Sequence, residues 1–254
     1  MNQFYTFLII IVGLLWVKPA FAQKAVRDSS ITIPSISVHY AYQFPGGDLS
    51  SRFGNNHNVG GEFTIKLRSG FILGVEGSYL FGTDVKNENS YFKNIRNDHG
   101  FVIDGNGQYA EVMLYERGLH IFAFTGYQFT FLSPNPNSGP FIHLGAGFLQ
   151  HYVRIENPGN VTPQIMGEYS KLYDRLSNGF SATQMIGYRY MGNHNLSNFY
   201  IGIEFTQAWT QSRRAYNADD MKQNTDKHLD LLFGIKLGWV IPLYGRAPKD
   251  FYYF

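Results

Sequence analysis

Residues 229–242 alternate without a break. Leu229, Leu231, Phe233, Ile235, Leu237, Trp239 and Ile241 hold the odd positions, and Asp230, Leu232, Gly234, Lys236, Gly238, Val240 and Pro242 the even ones. An extended strand turns successive side chains to opposite faces, so this run carries one wholly apolar face and one mixed face. A helical period would scatter the same apolar set around an axis. The stretch is a strand, and its apolar face demands either a core or lipid.

Seven more stretches repeat the pattern. Residues 35–44 set Ile36, Val38, Tyr40, Tyr42 and Phe44 against Ser37, His39, Ala41 and Gln43. In 59–69, Phe63, Ile65 and Leu67 oppose Glu62, Thr64, Lys66 and Arg68. In 71–81, Leu73, Val75, Tyr79 and Phe81 oppose Gly74, Glu76 and Ser78. Residues 119–132 alternate less cleanly, because Phe122 and Phe124 share the face opposite Ile121 and Ala123. Residues 140–155, 179–191 and 199–210 complete the set, with 179–191 the least regular.

The spacing between strands alternates too. Ser69-Gly70, residues 133–139 and residues 192–198 are short and rich in turn formers, whereas 45–58, 82–118, 156–178 and 211–228 are longer. Short periplasmic turns, long extracellular loops and an even strand count are the layout of outer-membrane barrels. The expected fold is therefore all-β, an eight-stranded antiparallel transmembrane β-barrel over residues 35–244. A soluble lipocalin-type barrel keeps the same alternation with its faces inverted. Aromatic residues near strand ends, strands of spanning length and a polar face mixing both charge signs with glycine favour the membrane version.

The apolar run at 4–17, followed by Ala20-Phe21-Ala22, predicts a signal peptide over 1–22 with cleavage before Gln23. A periplasmic segment is expected over 23–34, and an aromatic tail or the end of the last strand over 245–254. The sequence has no cysteine, which removes disulfides and thiolate chemistry. No mature segment is long and apolar enough for a spanning helix. Aromatic residues make up 17% and charged residues only 16%, a balance suited to a lipid–water boundary. Near-neutral net charge and the lack of a basic run argue against nucleic acid as a partner.

The polar face predicts a lumen network of His39, Glu62, Lys66, Glu76, His143, Arg189, Glu204 and Lys236, joined by Gln43, Gln128, His151 and Asp230. Eight strands leave room only for side chains, and buried charges of both signs must pair. A plugged core is expected, with a proton or ion path as the rival. No catalytic, cofactor-binding or metal site is expected. Nucleotide-binding and zinc signatures are missing, and Asp104-Gly105-Asn106-Gly107 reads as a turn because the other calcium ligands are lacking. For a barrel hydrolase, the rim partners would be His151 and His228 with Ser170, Glu168 or Asp230.

The long segments hold candidate docking residues. Asp104 and Tyr115 belong to the second, which suggests a small hairpin made by 101–103 and 112–115. Glu168, Tyr169, Tyr173, Asp174 and Arg175 belong to the third, where Tyr169, Leu172, Tyr173 and Leu176 fit one or two helical turns. Arg213 and Arg214 in the fourth face Asp219 and Asp220 across an expected tip. A self-packed cap and a docking surface are both open readings.

The segments Tyr42-Gln43-Phe44-Pro45-Gly46-Gly47-Asp48-Leu49 and Gly238-Trp239-Val240-Ile241-Pro242-Leu243-Tyr244, with the end Phe251-Tyr252-Tyr253-Phe254, resemble small outer-membrane β-barrel proteins of Bacteroidota. The resemblance implies a Gram-negative outer membrane and assembly by the outer-membrane insertion machinery. It also implies partners in outer-membrane lipid, lipopolysaccharide and another envelope protein. The expected function is a non-enzymatic structural or interaction role. The alternatives are an accessory subunit of a secretion or barrel-assembly complex, a hydrolase or lipid A-modifying barrel, and a narrow channel.

Overall fold

The computed structural model describes residues 29–192 and 197–243. The expected leader over 1–22 and the tail over 245–254 lie outside the described residues, as do residues 23–28 of the segment 23–34 and part of the turn 192–198. Eight strands follow in chain order: β1 Ile33–Gly47, β2 Asn56–Lys66, β3 Phe71–Gly82, β4 Met113–Gln128, β5 Gly139–Glu156, β6 Ser177–Met191, β7 Asn198–Ser212 and β8 Lys227–Pro242. Each pairs antiparallel with the next, and β1 pairs with β8, so the sheet closes. Closure removes the free edges that a flat sheet exposes. Among the described residues no helix is long and apolar enough to cross a membrane.

The alternation sorts most wall residues. In β8, Asp230, Leu232, Gly234, Lys236, Gly238 and Val240 are buried inside, while Leu229, Phe233, Ile235, Leu237, Trp239 and Ile241 are exposed outside. Phe122 and Phe124, which blur the pattern of β4, also point inward. Inward glycines make the room: a Cβ on Gly74 would collide with the Phe124 ring, one on Gly147 with Phe122 and one on Gly238 with Tyr200. The bore is thus filled by large side chains laid over inward-facing glycines, as a barrel this narrow requires.

Several boundaries differ from expectation. β4 begins at Met113, so Tyr115 stands in a barrel strand, and the loop hairpin is the smaller one bridged at Ile103 and Tyr109. Pro45-Gly46-Gly47, the start of the expected first long segment, instead continues β1 against β8, with Gly47 opposite Asp230. The β1–β2 ladder has already ended at Gln43 and Asn56, so at Pro45 the strand has one partner and tolerates the missing N–H. The first loop is therefore only 48–55. The third long segment carries a six-residue 3-10 turn, Gly167–Leu172, where helical turns are expected.

The loops at one end fold over the bore. Leu49, Phe53, Val85, Tyr91, Phe92, Val102, Ile165, Tyr173 and Ala218 join inward residues of the upper wall, including Leu80, Leu149 and Leu232, in one apolar cluster. At the other end Lys66 Nζ donates to Asn137 Oδ1 and Ser30 Oγ, both at 3.2 Å, and Asn137 Nδ2 donates to the Ser29 carbonyl at 2.9 Å. The turn between β4 and β5 and the chain before β1 close that end.

Candidate functional site

At mid-height the bore holds a lysine clamped by two glutamates. Lys236 Nζ donates to Glu76 Oε1 at 2.6 Å and to Glu204 Oε2 at 2.5 Å. β7 and β8 are neighbours, with Glu204 opposite Gly234, while Glu76 comes from β3 on another part of the wall. The triad therefore braces the barrel across its interior. All three side chains are buried, and direct pairing offsets their lost hydration.

His39 Nε2 lies 3.2 Å from Glu76 Oε1, outside hydrogen-bond geometry. His39, Glu62 and Glu76 bring candidate ligand atoms within 4.8 Å of one another, the arrangement in the bore best suited to a cation. Glu76 already accepts from the Lys236 ammonium, so a dication there would meet a like charge beside its own ligand. Arg189 is buried next to Phe141 and Tyr200, 5.6 and 6.0 Å from their ring centroids. His143 is sandwiched by Phe124 and Phe141 at 4.7 and 4.4 Å. The eight residues His39, Glu62, Lys66, Glu76, His143, Arg189, Glu204 and Lys236 are all buried in the bore, with Lys66 at its closed lower end.

A second network lies above the triad, beneath the cap. His151 Nε2 is 2.9 Å from Asp230 Oδ2, which accepts from Thr210 Oγ1 at 2.5 Å. Arg52, from the first loop, reaches down so that its Nη2 is 3.3 Å from His151 Nε2 and 3.7 Å from Asp230 Oδ1. Asn56 Nδ2 donates to both carboxylate oxygens of Glu116 at 3.1 and 3.0 Å. His228 is elsewhere, its Nδ1 3.9 Å from Asp48. Ser170 donates to the Gly167 carbonyl on the exposed 3-10 turn. The structure joins His151 to Asp230 and, among the described residues, bonds neither of them to Ser170, Glu168 or His228.

Asn56, Asn58, Glu116, His120 and Arg52 were not among the expected bore residues. Asn56 and Asn58 keep the even parity of Glu62, Thr64 and Lys66, so extending the β2 alternation upstream finds them. Glu116 and His120 share the parity of Phe122 and Phe124, a signal masked by aromatic residues on both faces. Arg52 follows no period, because a loop delivers it.

The candidate docking residues divide. Tyr169 is exposed, and Glu168 pairs with Lys171 at 2.7 Å on the surface, which holds the Glu168 carboxyl below its usual range. Asp104 Oδ1 accepts from the amides of Asn106 and Gln108, both at 2.8 Å, and so makes a turn. Tyr115 projects from the upper wall under Arg117, whose guanidinium is 5.0 Å from its ring. Arg213 Nε donates to Asn178 Oδ1 at 2.5 Å. Tyr173 is buried 5.0 Å from Phe92, and Asp174 is turned inward against Arg214.

Charges of the fourth loop do not pair across its own tip. Arg214 pairs with Asp174 and Asp219 with Arg175, both from the third loop, and Asp220 with Lys93 from the second. Asp219 Oδ1 also accepts from the Phe92 amide at 2.7 Å. Burial pushes the Asp219 carboxyl up, opposed by the Phe92 amide and Arg175. Burial likewise raises the Tyr91 phenol, against Arg175 stacked 3.8 Å from its ring centroid. These pairs lock three loops into one cap.

No protein-family model and no curated protein matches this sequence. Among solved structures, the chain is similar to Ail, the attachment invasion locus protein of Yersinia pestis, at 8% identity and a TM-score of 0.44 over 83% of this chain and 99% of that one. A structure of the same protein in complex with the heparin analogue sucrose octasulfate gives 11% and 0.42 over 83% and 99%. The N-terminal β-barrel domain of Pseudomonas aeruginosa OprF gives 12% and 0.36 over 82% and 97%.

Proposed function

We propose that this chain is an integral outer-membrane barrel with a sealed lumen, acting through its cap on another envelope component and without catalysis. The observation that carries the reading is the inverted wall: charges inside, exposed aliphatic residues outside. Ile36, Val75, Ile121, Leu144, Ile186, Ile203 and Ile235 face outward from seven strands, and Val59 and Phe63 do so from β2. Aromatic residues flank this band. Phe71 and Tyr127, with Tyr190 and Phe199, gather at the turn end, and Phe180 and Trp209, with Tyr42 and Phe44, at the loop end. Phe199 and Trp209 stand ten steps apart on β7. At about 3.3 Å per step and a tilt of about 40°, the girdles are separated by about 25 Å, the height of the apolar band of outer-membrane barrels. A lipocalin-type barrel would show the opposite distribution.

In this reading residues 1–22 are removed on export and the four longer loops face outward. Lipid and lipopolysaccharide surround the band, and the outer-membrane insertion machinery assembles it. The lumen ions are structural, and a large, stable conductance from pure protein in planar bilayers would count against that. The interaction role is supported by apolar groups left at the cap surface, where Tyr109 and Tyr169 remain 62% and 61% exposed and Phe101 and Met221 are exposed as well. Brominated lipids test the membrane placement. Trp209 and Trp239 should be quenched most by bromines near the headgroups, and protein that stays monodisperse and unquenched without detergent would refute the reading. Deleting residues 83–112 tests the docking role: the barrel should fold and lose its co-purifying envelope partner, and unchanged partner recovery would refute docking.

A further inference from the structure

The cap contains an open cavity of about 390 Å³ whose titratable lining residues, Arg52, Lys86 and Arg175, are all cations. The remaining lining is serine and asparagine. Arg52 and Arg175 also line a smaller cavity of about 90 Å³ beside it, where Arg214 and His228 join them and Asp220 is the acid.

The two arginines are held from below by buried aspartates. Arg175 Nη2 donates to Asp219 Oδ2 at 3.1 Å and to Ser90 Oγ at 3.3 Å, while its Nε is buried without a hydrogen-bond partner. Arg52 leans on Asp230 and donates to Ser177 Oγ at 3.3 Å. Anchoring of this kind orients a planar guanidinium and leaves its other N–H groups for a ligand. Lys86 Nζ donates to the Ser50 carbonyl at 2.9 Å, and its charge has no carboxylate among the described residues. The first two loops also hold the wall: Lys86 N donates to the Arg52 carbonyl and Gly54 N to the Asp84 carbonyl, both at 2.8 Å. A cavity so lined presents N–H donors and excess positive charge to a tetrahedral oxyanion.

Its volume exceeds what a bare oxyanion fills and falls within the small-molecule range, and the serine and asparagine walls suit hydroxyl groups. Arg52 contacts the inward-facing His151 and Asp230, so the cavity sits over the bore and not on the outward face of the wall. We propose that this cavity binds the phosphoryl or sulfo group of a soluble saccharide. The inference goes beyond the membrane and docking roles, and its test needs only the folded barrel.

The experiment is calorimetric titration of the full protein in zwitterionic micelles with glucose 6-phosphate, and with glucose as control. Saturable binding of the phosphate ester that weakens steeply with salt is expected, with none for glucose. Lys86→Gln should weaken it about tenfold with unfolding temperature unchanged, and Arg175→Lys, which keeps the charge for Asp219 but loses the fork, by a similar factor. Phosphatidylglycerol added to the micelles should leave binding unaltered. Equal binding of glucose and its phosphate, or wild-type binding by both variants, would overturn the site, and displacement by phosphatidylglycerol would overturn the soluble saccharide.

Discussion

Replacing Lys236 with methionine removes the centre of the lumen triad and leaves two buried carboxylates facing each other's field. At an effective dielectric of about 20, ion pairs at the observed 2.6 and 2.5 Å are worth about 6 kcal/mol each. Burying three ions costs several kcal/mol apiece, so the intact triad contributes little net stability. Loss of the lysine alone removes both attractions while two of the three desolvation costs remain. Protonation and hydration of the glutamates relieve part of the difference, so Lys236→Met should destabilise by about 3–5 kcal/mol, the range for a broken buried pair. That corresponds to an unfolding constant raised roughly 10²- to 10⁴-fold. Adding Glu76→Gln and Glu204→Gln should recover most of the loss, because no uncompensated charge remains. Urea titration of protein folded in lipid vesicles, followed by tryptophan fluorescence, measures both. A loss below about 1 kcal/mol for Lys236→Met, or no recovery in the triple variant, would refute a buried, mutually paired triad.

Further consequences can be measured separately. Ile203 faces outward midway along β7, so Ile203→Arg should cost about 2–4 kcal/mol in bilayers, and a cost near zero would deny it a lipid-facing position. The Arg214–Asp174 pair is partly exposed, so Arg214→Ala should cost only about 1 kcal/mol after solvent screening, yet trypsin cleavage at Arg175 should rise several-fold. An unchanged cleavage rate would argue that the third loop is held by other contacts. Because burial holds the Asp219 carboxyl above the usual aspartate range, the folded cap binds its proton more readily than the unfolded chain. Its contribution to stability is then full below the ordinary aspartate pKa and fades as pH rises through the raised value. Asp219→Asn should flatten that part of the pH profile in hydrogen-exchange protection of the Phe92 amide, and an unaltered slope would assign it to another group.

The wall of this protein is legible residue by residue. Alternation in 229–242 separates Lys236 and Asp230 from Trp239 and Ile241, and the structure puts the first pair inside and the second outside. The same parity brings His39, Glu76 and Glu204 into the bore. It holds in β4 as well, where aromatic residues on both faces mask it in the sequence, but it does not locate strand ends, as at Pro45, where the expected first loop yields to continued pairing with β8. The reason is geometric: a side chain's face depends on i and i+2 alone, but the end of a strand depends on whether a neighbour is present at that height.

The choice of glutamates for Lys236, the descent of Arg52 into the bore and the pairing of the fourth loop with the third were decided only by tertiary structure. Glu76 and Lys236 stand 160 residues apart in sequence, and Arg52 and His151 stand 99 apart. They meet because the eighth strand closes on the first, which fixes the radius of the bore and therefore which inward side chains reach each other. Local sequence determines that the wall groups Glu76, His151, Glu204 and Lys236 face inward. Their partners follow from closure, because a charge cut off from water must pair with whatever the narrow interior brings within reach.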